Sequence, residues 1–219
     1  PMDVAAGIDI SNGTGASNSC SCWGNMQTRE KVAEYVDPWI SPEEFGKLTI
    51  AMTEWFSNPY LIWDGGGPGG IFSKVIVDYG YRNFYFSRSE ERLFRKDTDK
   101  PGFFLNPKPK RVLLGMYKMS LKDRTFIQRS STANAECLEF VYTTRKTVEH
   151  SDERNNLDPS GAGDSHGDRV VADALLNKAY EVIKVEYDDS PEDIPWNCPA
   201  AREQAALAAI DNEDNEPEW

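Results

Sequence analysis

The alternation of apolar and polar positions changes period several times along the chain, and each change marks an element. Residues 4–10 are an apolar run interrupted by one carboxylate, Asp9, and cut off by Ser11-Asn12-Gly13-Thr14-Gly15. Residues 19–24 alternate with period two, and residues 31–36 read as a further strand. Short turns join all three, which predicts an antiparallel meander. The period then becomes helical. Ser41 stands as an N-cap, Pro42 as the first helical residue and Glu44 three positions after the cap. Phe45, Leu48, Met52, Trp55 and Phe56 fall on one face behind them, and Asn58-Pro59 ends the helix. Residues 60–64 form a short apolar strand closed by Gly65-Gly66-Gly67-Pro68, and a second helix follows at 69–79. A strand at 83–86 completes a strand–helix–strand order with a parallel pair.

Further on, residues 87–106 are polar and read as a loop. Residues 107–121 read as a helix with Val112, Leu113, Met116 and Met119 or Ser120 inward and the lysines outward. Phe126-Ile127 reads as a strand edge, and 133–140 as a helix with Glu136 and Glu139 exposed. Residues 141–150 form a strand or the first arm of a hairpin, 151–165 a polar loop, and 168–183 a long helix. An acidic end carries a short helix at 200–210.

The chain has 219 residues, which suits one domain of ordinary size followed by a tail. No apolar run approaches the roughly 20 residues of a membrane span, and no secretory pattern is present, so a soluble intracellular protein is expected. The chain starts almost at its first strand, as a piece of a longer protein would. Cys20, Cys22, Cys137 and Cys198 read as free thiols of a reducing compartment. Cys20 and Cys22 share a strand face, and His150 and His166 have no zinc-type spacing with them.

A net charge of −12 argues against a nucleic-acid partner. Its distribution reverses that view. Between Arg82 and Arg129 stand thirteen basic residues against five acidic ones. From Glu181 to Trp219 twelve acids face only Lys184 and Arg202. The basic island either holds a phosphate backbone or forms solvated helix faces.

Three carboxylates carry the candidate chemistry. Asp9 sits in the first apolar run, Asp64 ends the run Tyr60-Leu61-Ile62-Trp63, and Asp168 opens the last long helix. A carboxylate in an apolar strand is costly unless a positive charge meets it, and a hard cation such as Mg²⁺ is the simplest partner. Taken singly, each Asp also reads as a cap or turn residue. Taken together they make a metal-dependent nuclease site. The pattern Gly-x-x-x-x-Gly-Lys-Ser/Thr occurs nowhere, so no ATP-binding phosphate loop is expected in this chain.

Four blocks in order complete the picture: Gly7-Ile8-Asp9-Ile10-Ser11 with Gly13-Thr14-Gly15; Leu61-Ile62-Trp63-Asp64 with Gly67-Pro68-Gly69; Leu121-Lys122-Asp123-Arg124-Thr125-Phe126-Ile127; and His166-Gly167-Asp168-Arg169-Val170-Val171-Ala172-Asp173-Ala174-Leu175. Together they resemble the C-terminal nuclease domain of the large terminase subunit of tailed bacteriophages. The resemblance implies an α/β fold of RNase H-like type, a mixed sheet with a three-strand antiparallel meander plus parallel strands, flanked by helices. The resemblance spans about residues 7–179, so such a domain is expected over 1–185, and the acidic composition makes 186–219 a tail. It further implies an endonuclease that cuts concatemeric viral DNA during packaging in the host cytoplasm, with an acidic triad on Asp9, Asp64 and Asp168. Many relatives carry Glu at the second position, where this chain has the shorter Asp64. Two Mg²⁺ or Mn²⁺ ions would activate water and stabilise the leaving oxygen. Asp164 is then an accessory ligand or a loop cap, and His166 orients water or phosphate or is a hydrogen-bonded loop histidine. Ser11 contacts phosphate or closes its turn. Lys108, Lys110 and Arg111 at a helix start are the candidate DNA contacts. Expected partners are duplex DNA, an N-terminal motor ATPase in the full protein, the portal and the small terminase subunit. The rival readings are a Holliday-junction-type resolvase of the same fold and a non-catalytic portal-docking module.

Overall fold

A computed structural model describes residues 3–87, 100–142, 148–150 and 167–183, all within the unit Pro1–Val185. The predicted loop 151–165, the acidic tail 186–219 and its short helix lie outside the described residues. So do Asp164, His166 and Cys198.

The meander is present. Strands β1 (Val4–Asp9), β2 (Ser19–Asn25) and β3 (Lys31–Asp37) pair antiparallel in sequence order. Strand β4 (Tyr60–Trp63) adds to the free edge of β1 in parallel, giving the order β3-β2-β1-β4. This is the mixed sheet the sequence predicts. The expected fifth strand at 83–86 is reduced to a single parallel bridge between Leu61 and Phe84, followed by β5 (Phe86–Ser87). Part of the expected loop at 87–106 returns instead as β6 (Lys100–Pro101), which pairs antiparallel with β5.

Period-two alternation sends β1 and β2 side chains to two cores. Val4, Ala6, Ile8 and Trp23 face α1 (Pro42–Trp55) and α2 (Gly69–Tyr79), packing with Phe45, Phe72 and Ile76. Ala5, Cys20 and Cys22 face the opposite side, against α3 (Pro107–Lys122) and α5 (Asp168–Val182). Among the described cysteines, Cys20 and Cys22 are buried free thiols and Cys137 is a half-buried one.

Helix α1 starts where its sequence says. Ser41 Oγ accepts from Glu44 N–H at 3.3 Å and donates to the Glu44 carboxylate at 3.0 Å. Its expected inner face is off at the end, however. Trp55 is 81 % exposed, and Gly46, Thr49, Ile50 and Thr53 join Phe45 inside. Helix α3 is rotated by about one position from expectation. Leu113, Leu114 and Tyr117 are buried, while Val112 and Met119 are half exposed to solvent. Helix α4 (Ser131–Glu139) buries Glu136, which the sequence reading places outside. Strands β7 (Phe140–Tyr142) and β8 (Val148–His150) pair antiparallel, so both arms of a hairpin fall where the sequence reading expects one strand or its first arm.

Helix α5 crosses the sheet in direct backbone contact. A Cβ on Gly7 would stand 2.0 Å from Ala172 O and 2.2 Å from Leu176 N. Only glycine allows this approach. A buried network then secures the helix. Lys31 Nζ lies 2.9 Å from Asp173 Oδ1, and Gln128 and Tyr117 also donate to that carboxylate. At the start of α5, Arg169 Nη1 meets Glu136 Oε1 at 2.5 Å and its Nε meets Glu34 Oε1 at 3.0 Å. Glu136 Oε2 also accepts from Arg169 N–H at 3.1 Å.

Candidate active site

Asp9 is the last residue of β1, and Asp64 follows β4 directly. The parallel register pairs Ile8 with Trp63, so the two carboxylates occupy the next rung. Asp64 N–H closes that rung on Ile8 O at 3.1 Å. Ile8 and Trp63 face the α1–α2 core, so Asp9 and Asp64 project on the α5 side. Asp168, the first residue of α5, is delivered there by the close crossing at Gly7. Gly167 before it turns the chain with φ 72°.

Hydrogen bonds hold two of the three carboxylates. Asp64 Oδ1 accepts from Gly66 N–H at 3.0 Å and Leu105 N–H at 3.3 Å. The first is an Asx turn, the local reason for Asp before a glycine. Asp168 is 7 % exposed. Its Oδ1 accepts from Ser17 Oγ at 3.1 Å, and its Oδ2 accepts from Asn18 N–H at 2.7 Å and Asn18 Nδ2 at 3.1 Å. The loop between β1 and β2 therefore grips Asp168 from across the sheet end.

Asp9 has a different setting. Part of the residue still meets solvent. Burial of its carboxyl, then the charges of Asp168 and Asp64, push its pKa well above the ordinary carboxylate value. Lys110 and the Ile10 N–H work in the opposite direction without overcoming them. Three like charges within range of one another, in part withdrawn from water, favour a cation among them. Their oxygens are the hard donors that Mg²⁺ or Mn²⁺ take. By donor chemistry and charge the group fits a divalent metal. As the side chains stand, no set of three Asp, Glu, His or Cys among the described residues is already gathered around one point.

The basic candidates separate into two positions. Lys110 is half-buried and near enough to act on Asp9, whereas Lys108 and Arg111 are exposed. Ser11 is used internally. Its N–H donates to Ser19 Oγ, its hydroxyl pairs with the same atom at 3.1 Å, and Gly13 N–H donates to it at 3.2 Å. This is the turn-closing alternative for Ser11.

Sequence reasoning missed Ser17 and Asn18, because their role depends on a residue 150 positions away. It also missed the Lys31–Asp173 and Arg169–Glu136–Glu34 links. One signal was legible: Asp173 interrupts the apolar run Val170-Val171-Ala172 and Ala174-Leu175-Leu176, which calls for a buried cation.

No protein-family model matches the chain, and no curated protein does. Solved structures do match. The large terminase nuclease of the thermophilic phage G20c, with magnesium bound, superposes with a TM-score of 0.60 at 13 % identity, covering 81 % of each chain. The same nuclease with cobalt bound gives a TM-score of 0.60 at 13 % identity over 81 % of each chain. The Thermus phage P74-26 large terminase nuclease domain gives 0.60 at 14 % identity over 82 % of this chain and 80 % of the other. At such identities the likeness establishes the fold, which is that of the large terminase nucleases.

Proposed function

We propose that this chain, folded as the large terminase nucleases are, is itself a divalent-metal-dependent endodeoxyribonuclease of viral genome packaging. The observation that carries the reading is that the ends of β1 and β4 and the start of α5 put Asp9, Asp64 and Asp168 near enough for the charges of Asp168 and Asp64 to act on Asp9. They come from two strand ends and a helix start. The G20c nuclease was solved with magnesium and with cobalt bound, which supports a divalent ion here. Asp9, Asp64 and Asp168 would hold it, with Asp164 as an accessory ligand. Two such ions would supply Lewis acidity to a water and to the leaving oxygen.

The protein's own groups do the rest. Gly66 and Leu105 N–H fix Asp64 Oδ1, and among the described residues Oδ2 takes no hydrogen bond. Ser17 and Asn18 aim Asp168 before any ligand arrives, which lowers the reorganisation needed on binding. Lys110 offsets part of the negative charge that would repel a phosphodiester. Lys108 and Arg111 contact the DNA backbone, and His166 orients water or phosphate. Contacts of this kind position a duplex without reading its sequence. In the full protein a motor ATPase domain, the portal and the small terminase subunit are the partners, in the host cytoplasm. Among the described residues no helix is long and apolar enough to cross a membrane.

The test is cleavage of supercoiled plasmid with Mn²⁺ or Mg²⁺. Wild type should nick and linearise it, Asp9→Ala and Asp168→Ala should not, and chelation should stop the reaction. Wild-type inactivity with both metals would sink the reading. Cleavage of linear duplex without preference for four-way junctions separates this activity from that of a junction resolvase. Loss of cleavage in folded Asp9→Ala counts against a purely structural docking role.

A further inference from the structure

Helix α3 begins at the acidic centre. Leu105, two residues before its first residue Pro107, donates to Asp64, and Lys110 in its first turns acts on Asp9. The helix then carries two faces of opposite character. Leu113, Leu114 and Tyr117 lie against α5. At 100° per residue, Lys108, Arg111, Gly115, Lys118 and Lys122 fall together on the other side. All four charged residues are exposed. No acidic residue stands within the helix itself. Lys110 is not part of this stripe, because its position turns it toward the core face and the carboxylates.

Gly115 in the middle of the stripe is informative. Glycine inside a helix costs about 1 kcal/mol relative to alanine. A Cβ there would meet nothing within 4 Å. Nothing in the packing of the described residues therefore asks for glycine. A point without a side chain between Arg111 and Lys118, at the rim of a small cavity bordered by Leu114, Leu121 and Phe140, is what a close-lying sugar-phosphate backbone would use.

We infer that the outward stripe Lys108–Arg111–Gly115–Lys118–Lys122 is a phosphate track along which one arm of a DNA duplex leaves the acidic centre. The fourteen-residue rise from Lys108 to Lys122 is about 21 Å at 1.5 Å per residue. That is about six base pairs at 3.4 Å each. The stripe suits a polyanion with regularly spaced charges, and it stands out on a chain of net charge −12. The inference rests on the nuclease reading only for the identity of the partner as duplex DNA. It extends the DNA contacts beyond the start of the helix and assigns the duplex a direction.

The test is duplex binding by the full chain, followed by fluorescence anisotropy across a salt series. Wild type and the double variant Lys118→Gln/Lys122→Gln are compared on a 20-base-pair duplex without added divalent metal. Each lost phosphate contact lowers the slope of log K against log[salt] by about 0.9. The double variant should therefore lose about 1.8 from that slope and bind roughly ten-fold or more weakly at low salt. Its thermal unfolding should match wild type. An unchanged slope and affinity overturn the track while leaving the nuclease reading intact. A wild type that binds duplex with this slope change but cleaves nothing upholds the track and overturns the nuclease reading. Binding of polyglutamate with the same lysine dependence, and no duplex binding, overturns the track in favour of an acidic protein partner.

Discussion

Asp9 is the residue at which fold stability and chemistry conflict most directly. Its carboxyl is held among protein atoms beside two further carboxylates, with Lys110 as incomplete compensation. Without metal, the ionised form is a strained component of the fold. Asp9→Asn is therefore expected to raise the melting temperature of the metal-free protein at neutral pH while abolishing plasmid cleavage, a common trade at functional sites. A melting temperature unchanged or lowered in chelator would contradict it. Asn18 is the complementary case. It supplies two of the three hydrogen bonds that aim Asp168. Asn18→Ala removes the side-chain bond and leaves the backbone one. Losing a partner of a metal-holding carboxylate typically weakens metal affinity 10- to 100-fold. The Mn²⁺ concentration for half-maximal cleavage should rise by about that factor, with the rate at saturating Mn²⁺ largely kept.

At the scale of elements, the position of α5 decides whether a site exists. Its backbone rests on Gly7. Gly7→Ala forces the helix outward, and overpacking of this kind costs about 1–3 kcal/mol or more. Chemical denaturation should show that loss, and cleavage should fall further than stability alone explains, because Asp168 moves with the helix. The Arg169–Glu136–Glu34 clamp has a pH signature. Burial alone would raise the pKa of Glu34, but Lys31 and then Arg169 outweigh it and hold it below the ordinary value. A depressed carboxylate contributes stability above its unfolded pKa, near 4.3, and loses it as pH falls through the folded value. The melting-temperature gap between wild type and Glu34→Gln should accordingly be full at neutral pH and close in acid. The same elements show what a sequence can disclose. Ser41, Pro42 and Glu44 mark the start of α1 because caps are local chemistry. The inner face of α3 was read one position off because Val112, Leu113 and Leu114 are all apolar, and only α5 chooses among them. Glu136 looked like a surface residue because Arg169, its counter-charge, lies 33 positions away.

Over the whole molecule, the order of the main elements and the three strand-end and helix-end carboxylates were legible, since each depends on short-range pattern. The grip on Asp168 and the buried Lys31–Asp173 pair were not, since they depend on how distant segments cross. A divalent ion held as proposed would couple to the fold of the chain by mass action. An ion that binds only the folded state adds about 2.7 kcal/mol at a hundred times its dissociation constant. Mn²⁺ should raise the melting temperature of wild type in a concentration-dependent way and leave Asp9→Ala almost unaffected. An equal rise in both would point to ions binding elsewhere.

On the reading proposed above, the bond from Leu105 to Asp64 would join DNA holding and DNA cutting through a single amide. Leu105 belongs to the segment that leads into α3, two residues before its first residue. A tug on a strand lying along α3 would act as a lever arm whose short end is the carboxylate. Tension on the nucleic acid and aim of the cutting group would then be mechanically geared, with no separate signalling part between them.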